Sequence, residues 1–175
     1  MPLNILKTYP QLLEIAHLNS YERRASLSGV FKRDIENNDA FQFRTKQVRP
    51  IKKEGQVAMD ILFNHLLTRE DRDDKGTPLG TRSFEMARSE RLHWIKHHID
   101  ERKTKRTEVF SYTDRIDHKD VIRTYIYDIG EQYVVILEPQ RSQKDYYLLT
   151  AYHLNEPGGK RQIEKKFKKK LPEVH

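Results

Sequence analysis

Four runs in the second half of the chain, "EVFSYTDRI", "VIRTYIYDIG", "QYVVILEP" and "DYYLLTAYHL", are dense in β-branched and aromatic residues. Such runs favour the pleated conformation, where large side chains pack on cross-strand neighbours. The connections "DHKD", "IGEQ" and "PQRSQKD" are too short to hold the crossover helix that a parallel pair requires. Each strand must therefore turn back on the one before it, which predicts an antiparallel meander.

Upstream the apolar period lengthens from two residues to nearly four. In "EGQVAMDILFNHLL", Val57, Ile61 and Leu62 recur at helical spacing, with Ala58 and Leu66 beside them. In "SFEMARSERLHWIKHHID", a step of about 100° per residue gathers Phe84, Ala87, Leu92, Ile95 and Ile99 into one sector. Pro10 to Leu27 reads as an earlier helix, with Leu12, Leu13, Ile15, Ala16 and Leu18 as its apolar side. Phe41, Phe43 and Val48 have a strand-like context that Pro50 ends. The mixed-charge "TREDRDDKGTPLG" has the composition of a surface loop.

The expected fold is α+β: N-terminal helices, then a curved antiparallel β-meander of about four strands, then a basic C-terminal helix. Residues 1–50 read as an accessory segment, mostly helical, and residues 51–175 as the main domain.

Composition narrows the chemistry. With no cysteine, disulfides, thiolate nucleophiles and Cys-based zinc sites are excluded. The chain has no GxxxxGK[ST], GxGxxG or GxSxG motif, so neither a nucleotide cofactor nor a metal is expected. Its first residues lack a secretory pattern and no apolar run is long enough to span a bilayer, so a cytoplasmic protein without a membrane partner is expected. A net charge of +7 favours polyanions through attraction and counterion release.

Several residues stand out against this background. Arg88 falls near the middle of the apolar sector of its helix, with Arg91 and His98 on the border. A guanidinium does not shed its proton, so Arg88 needs a carboxylate such as Glu138 or Asp128, a solvated cleft, or an anionic ligand. Strict alternation puts Tyr146, Leu148, Thr150, Tyr152 and Leu154 on one face of the last strand, so Thr150 and Tyr152 point together. They are either ordinary sheet-forming residues or a hydroxyl and a ring for a nucleotide. Arg123 shares a face with Val121, Tyr125 and Tyr127 and is solvent-side if the opposite, aliphatic face packs on a helix.

His93 and His97 lie four apart, but without an HExxH pattern they read as a solvated helix face. His65, His98 and His153 are the candidates for proton transfer. The basic end carries Lys160, Arg161, Lys165, Lys166, Lys168 and Lys169, with Ile163 and Phe167 anchoring one side of the helix. These lysines and Arg161, with Arg123, are the candidate RNA contacts.

The order "ARSERLHWIKHHID", "IRTYIYDIGEQYVVILE", "YYLLTAYHL" resembles the phage-associated branch of the barnase, EndoU, colicin and RelE group of nucleases (BECR), from about Phe84 to Phe167. The resemblance implies an α+β nuclease domain and metal-independent cleavage of structured RNA, tRNA included, by attack of the ribose 2′-hydroxyl. It further implies a toxin or mobile-element conflict protein whose partners are RNA and an antitoxin or immunity protein. It would place Arg88 on the scissile phosphate with Arg91 nearby, Thr150 on a base or phosphate, and Tyr152 against the nucleotide. The two His and one Lys of an EndoU-like site have no aligned counterpart among His65, His93, His98 and His153. A non-catalytic RNA-binding module and a phage structural or protein-interaction domain are the alternatives.

Overall fold

The structure is a computed structural model and describes residues 3–175. The first half contains α1 (Ser20–Phe31), β1 (Gln42–Phe43), β2 (Lys46–Arg49), α2 (Ala58–Leu67), β3 (Thr68–Arg72) and β4 (Pro78–Phe84). The second half contains α3 (Met86–Ser89), α4 (Trp94–Ile99), β5 (Thr107–Ile116), β6 (Lys119–Asp128), β7 (Tyr133–Pro139), β8 (Tyr146–His153) and α5 (Pro157–Lys168).

Strands β5 to β8 lie in sequence order and pair antiparallel, as their short turns dictate. The architecture as a whole is not the expected one. The main sheet has six strands in the order β1-β2-β8-β7-β6-β5, and it is mixed because β2 runs parallel to β8. A separate hairpin, β3–β4, is set between the helices. A helices-then-meander fold of four strands is thereby corrected to a mixed sheet with a detached hairpin.

Both departures have local causes. The β2–β8 contact joins Val48 to Tyr146 and Arg49 to Tyr147, a pairing between distant parts of the chain that no local period encodes. The hairpin grows from the expected loop: Asp73 accepts the amides of Lys75 and Thr77, and Gly76 and Gly80 take positive φ. Its β4 strand is exposed along its whole length, so no alternation of apolar residues marks it.

The helices shift as well. Asn19 and Glu22 form a reciprocal capping box, so α1 starts at Ser20 rather than near Pro10. Leu13 and Ile15 are buried from an irregular segment, which Leu13 ties down by donating its amide to the Glu90 carbonyl. The expected long helix from Ser83 is two short ones, with Phe84 in β4 and 40% exposed.

Two apolar layers sandwich the sheet. On one face, Leu62 and Leu66 of α2 and Trp94 and Ile95 of α4 meet Val135, Leu137, Leu148 and Ala151. Leu13, Leu27 and Phe43 from the first fifty residues join the same layer. On the other face, Ile163 and Phe167 of α5 cover Phe110, Tyr125, Tyr127, Val134 and Ile136. Each such side chain, fully buried, contributes about 1.5–3 kcal/mol.

One polar hub lies inside this structure. Asp128, wholly buried, accepts hydrogen bonds from Tyr9 Oη (2.8 Å), Lys103 Nζ (2.6 Å) and the Glu131 amide (3.0 Å), and faces His98 Nε2 at 2.8 Å. Burial opposes ionisation of Asp128, but these donors outweigh it and hold the carboxyl well below the usual carboxylate range. Among the described residues, no helix is long and apolar enough to cross a membrane.

Candidate functional site

A bulge in β8 creates the site's geometry. Ile136 pairs with Thr150 but the next residue, Leu137, pairs with Leu148, leaving Leu149 without an opposite number. Tyr146, Leu148 and Ala151 consequently pack on the α2–α4 side, while Tyr152 packs on the α5 side. Strict alternation is broken, so Tyr146 and Leu148 do not share the face of Tyr152 as expected. Thr150 and Tyr152 still point together, since their partners Ile136 and Val134 both face α5.

The second half of β8 has no strand on its outer side, because β2 reaches only Tyr146 and Tyr147. Helix α3 closes against it there and delivers Arg88. The guanidinium Nη1 donates to the carbonyl oxygens of Thr68 (2.8 Å) and His65 (3.2 Å) and to Thr150 Oγ1 (3.3 Å). Its carbon lies 5.5 Å from the Tyr152 ring centroid. Every acceptor is uncharged, and Nε is buried with no partner. The alternative of a sealing carboxylate is overturned: Asp128 belongs to the Tyr9–His98–Lys103 hub, and Glu138 approaches Arg123 at 3.6 Å.

A cleft of about 500 Å³ opens over Arg88 and Tyr152, walled by Arg69 and Arg72 of β3, Glu85, His153 and Gln162 of α5. Arg69 spans its mouth, pairing through both terminal nitrogens with Glu156 and lying 4.0 Å from Glu85. Burial raises the Tyr152 pKa, so its phenol stays protonated. Burial and then the Arg91 charge lower the His153 pKa, which favours the neutral imidazole, and its Nδ1 has no partner.

The remaining candidates divide. Arg91 is nearly buried, donating to the Ala87 carbonyl and to Glu90 at 2.7 Å, and positions α3 rather than lining the cleft. His98 is sealed between Asp128 and the Trp94 carbonyl and cannot reach solvent. His65 contributes its backbone oxygen to Arg88, while burial and then the charges of Arg82 and Arg88 push its imidazole down to about 4. His93, expected on a solvated face, is 5% exposed, because the break between α3 and α4 turns it inward.

Lys166 is also committed, donating to Asp114 at 2.7 Å and to Tyr125 at 2.9 Å. Lys160 approaches Glu164 at 3.9 Å, whereas Arg161, Lys165 and Lys168 of α5 and Lys169 just beyond it are exposed. The cleft residues missed from sequence, Arg69, Arg72 and Glu85, sit in or beside the unanticipated hairpin. Among the described residues, no three potential metal ligands cluster. No family model, curated protein or solved structure matches this chain.

Proposed function

We propose that the protein is an endoribonuclease that cleaves RNA in the Arg88 cleft, without a metal ion, by attack of a ribose 2′-hydroxyl on the adjacent phosphate. The observation carrying this reading is Arg88 itself. It is a cation held in place by neutral oxygens, with no carboxylate hydrogen-bonded to it, above an aromatic ring in an open cleft. Such a group stabilises the extra negative charge of a five-coordinate phosphate and has no reorganisation to undergo.

The proton transfers follow from the two neighbours. The neutral His153 imidazole takes the proton of the 2′-hydroxyl as its oxygen bonds to phosphorus. The bond from phosphorus to the 5′-oxygen breaks, and the Tyr152 phenol donates a proton to that leaving oxygen. The products are a 2′,3′-cyclic phosphate and a free 5′-hydroxyl. A structured RNA such as tRNA as substrate, and an inhibitor that covers the cleft if the enzyme acts as a conflict toxin, belong to the same proposal.

Incubation of the purified protein with total RNA in a chelator tests it. Fragments with 2′,3′-cyclic phosphate ends are expected, and folded Arg88→Ala should release them about 10²–10³-fold more slowly. A folded wild-type protein that leaves varied RNAs intact, with and without divalent ions, removes the enzyme. A second reading, a non-catalytic RNA-binding module, is favoured by the single imidazole in the cleft: His98 is sealed, and His65 reaches Arg88 only through its backbone carbonyl and does not line the cleft. Salt-sensitive RNA binding without cleavage selects it.

A further inference from the structure

A line of large polar side chains crosses the main sheet on the face that α5 covers. Tyr112 of β5 stands opposite Arg123 of β6, and Arg123 reaches Glu138 of β7 at 3.6 Å. Tyr147 of β8 stands opposite Glu138 on one side and Arg49 of β2 on the other. Two residues along their strands, Phe110, Tyr125 and Ile136 are buried beneath α5. The line is the first rank of side chains that this helix leaves partly open.

Tyrosines on a sheet are ordinary by themselves. What sets this line apart is its continuity with the cleft. Gln162 and Lys166 lie four apart on one flank of α5, and Lys169 follows at its C-terminal cap. Gln162 lines the cleft, Lys166 Nζ stands 5.7 Å from the Tyr112 ring centroid, and Lys169 is exposed beyond it. The flank therefore leads from the cleft to the line.

The chemistry asks for a ligand with flat rings and repeated anionic groups. Arg123 and Arg49 are paired with Glu138 and Asp145, but partly exposed pairs of this kind contribute little, so a phosphate can take the carboxylate's place. Tyr112 and Tyr147 are three strands apart, about 14 Å at the usual strand spacing, which exceeds the reach of one base. Single-stranded RNA offers bases for stacking and phosphates in series, whereas a duplex hides the faces of its bases.

We propose that Tyr112, Arg123 and Tyr147, flanked by α5, form a track on which single-stranded RNA lies as it leads into the Arg88 cleft. The track rests on the RNA-cleaving reading. Its test is fluorescence anisotropy with a labelled, fully 2′-O-methylated single strand of about 12 nucleotides, a length within the usual site size, which cannot undergo the attack.

Tyr147→Ala should raise Kd about tenfold, while Tyr147→Phe, which keeps the ring and the fold, should stay within about twofold of wild type. Arg123→Ala should flatten the salt dependence by about one phosphate, and a matched duplex should bind more weakly than the single strand. Wild-type affinity in both Tyr147→Ala and Arg123→Ala, or equal affinity for the duplex, overturns the track but leaves cleavage in the cleft standing. No binding of the strand by wild-type protein at low salt overturns the track and its premise together.

Discussion

Two polar clusters in this molecule hold buried or half-buried charge in opposite ways. Around Asp128 the carboxylate meets three donors and an imidazole, and nothing is left over. Around Arg88 the cation meets only neutral oxygens, Nε has no partner, and His153 Nδ1 has none either. A satisfied cluster fixes chain segments: Tyr9 enters from the N-terminal loop, His98 from α4 and Lys103 from the connection to β5. An unsatisfied one leaves buried polar atoms whose cost the fold does not offset, which is the pattern expected where a site serves something other than the fold. The difference separates a cluster that holds the fold from the one proposed to hold a ligand.

The largest effect that would break this distinction is on stability. Asp128→Ala leaves Lys103 without its counterion and His98 Nε2 without its hydrogen-bond partner, and urea denaturation should find a loss of about 3–5 kcal/mol. Cleavage per folded molecule should not change. If the loss is instead confined to activity, the two clusters have been assigned the wrong way round.

Arg88→Ala should give the converse result. Chelator-resistant cleavage should fall about 10²–10³-fold, while the lost bonds to the Thr68 and His65 carbonyls should lower stability by no more than about 1–3 kcal/mol. Arg88→Lys should not restore the rate, because an ammonium concentrates its donors on one nitrogen at the end of a flexible stem and lacks the second, fixed terminal nitrogen of the planar guanidinium.

Acid separates the clusters by pH. The folded pKa of His65 and of His93 is depressed, each down to about 4, against about 6.5 in an unfolded chain. Between those values the unfolded chain binds more protons, so the stability these two groups contribute is complete above pH 6.5 and declines as pH falls toward 4. The Asp128 carboxyl is depressed too, so its contribution is present above about pH 4 and is lost below it. Urea midpoints followed downward from pH 7 should fall in two stages; His65→Asn should shallow the first and Asp128→Asn the second.

The smallest effect lies at the cleft mouth. Glu156→Gln frees Arg69 from an exposed pair, so stability should change by less than about 0.5 kcal/mol. Anisotropy titration should find RNA affinity raised by a few-fold, about one additional phosphate contact. Weaker binding would mean that Glu156 holds the hairpin in its working position instead of competing with the ligand.

What was legible in the sequence follows which interactions are local. The runs around Tyr125, Val135 and Leu148 announce strands because both faces are covered, and their turns force neighbours to pair. Arg88 was visible as a cation among apolar residues, although a continuous helix was the wrong setting for it. Asn19 and Glu22 carry a readable capping signal that the apolar run before them obscured. The hairpin is a different matter: β4 buries nothing, so Arg69 and Arg72 had no pattern to place them at the cleft. The parallel pairing of Val48 with Tyr146 and the meeting of Tyr9 with Asp128 depend on where distant segments come together.

The bulge at Leu149 has one more consequence. Strand β8 carries one residue more than its pairing with β7 needs, since Leu148 and Thr150 already oppose consecutive residues of the partner. Removing most single residues from a strand turns everything on one side of the cut inside out. Removing Leu149 would instead leave Leu148, Ala151 and Tyr152 each on its present side, in a regular ladder. Within β8 only a member of the bulged pair, Leu149 or Thr150, could be shed without inverting the strand; losing Leu149 would keep the hydroxyl that meets Arg88 but remove the local bend beside it.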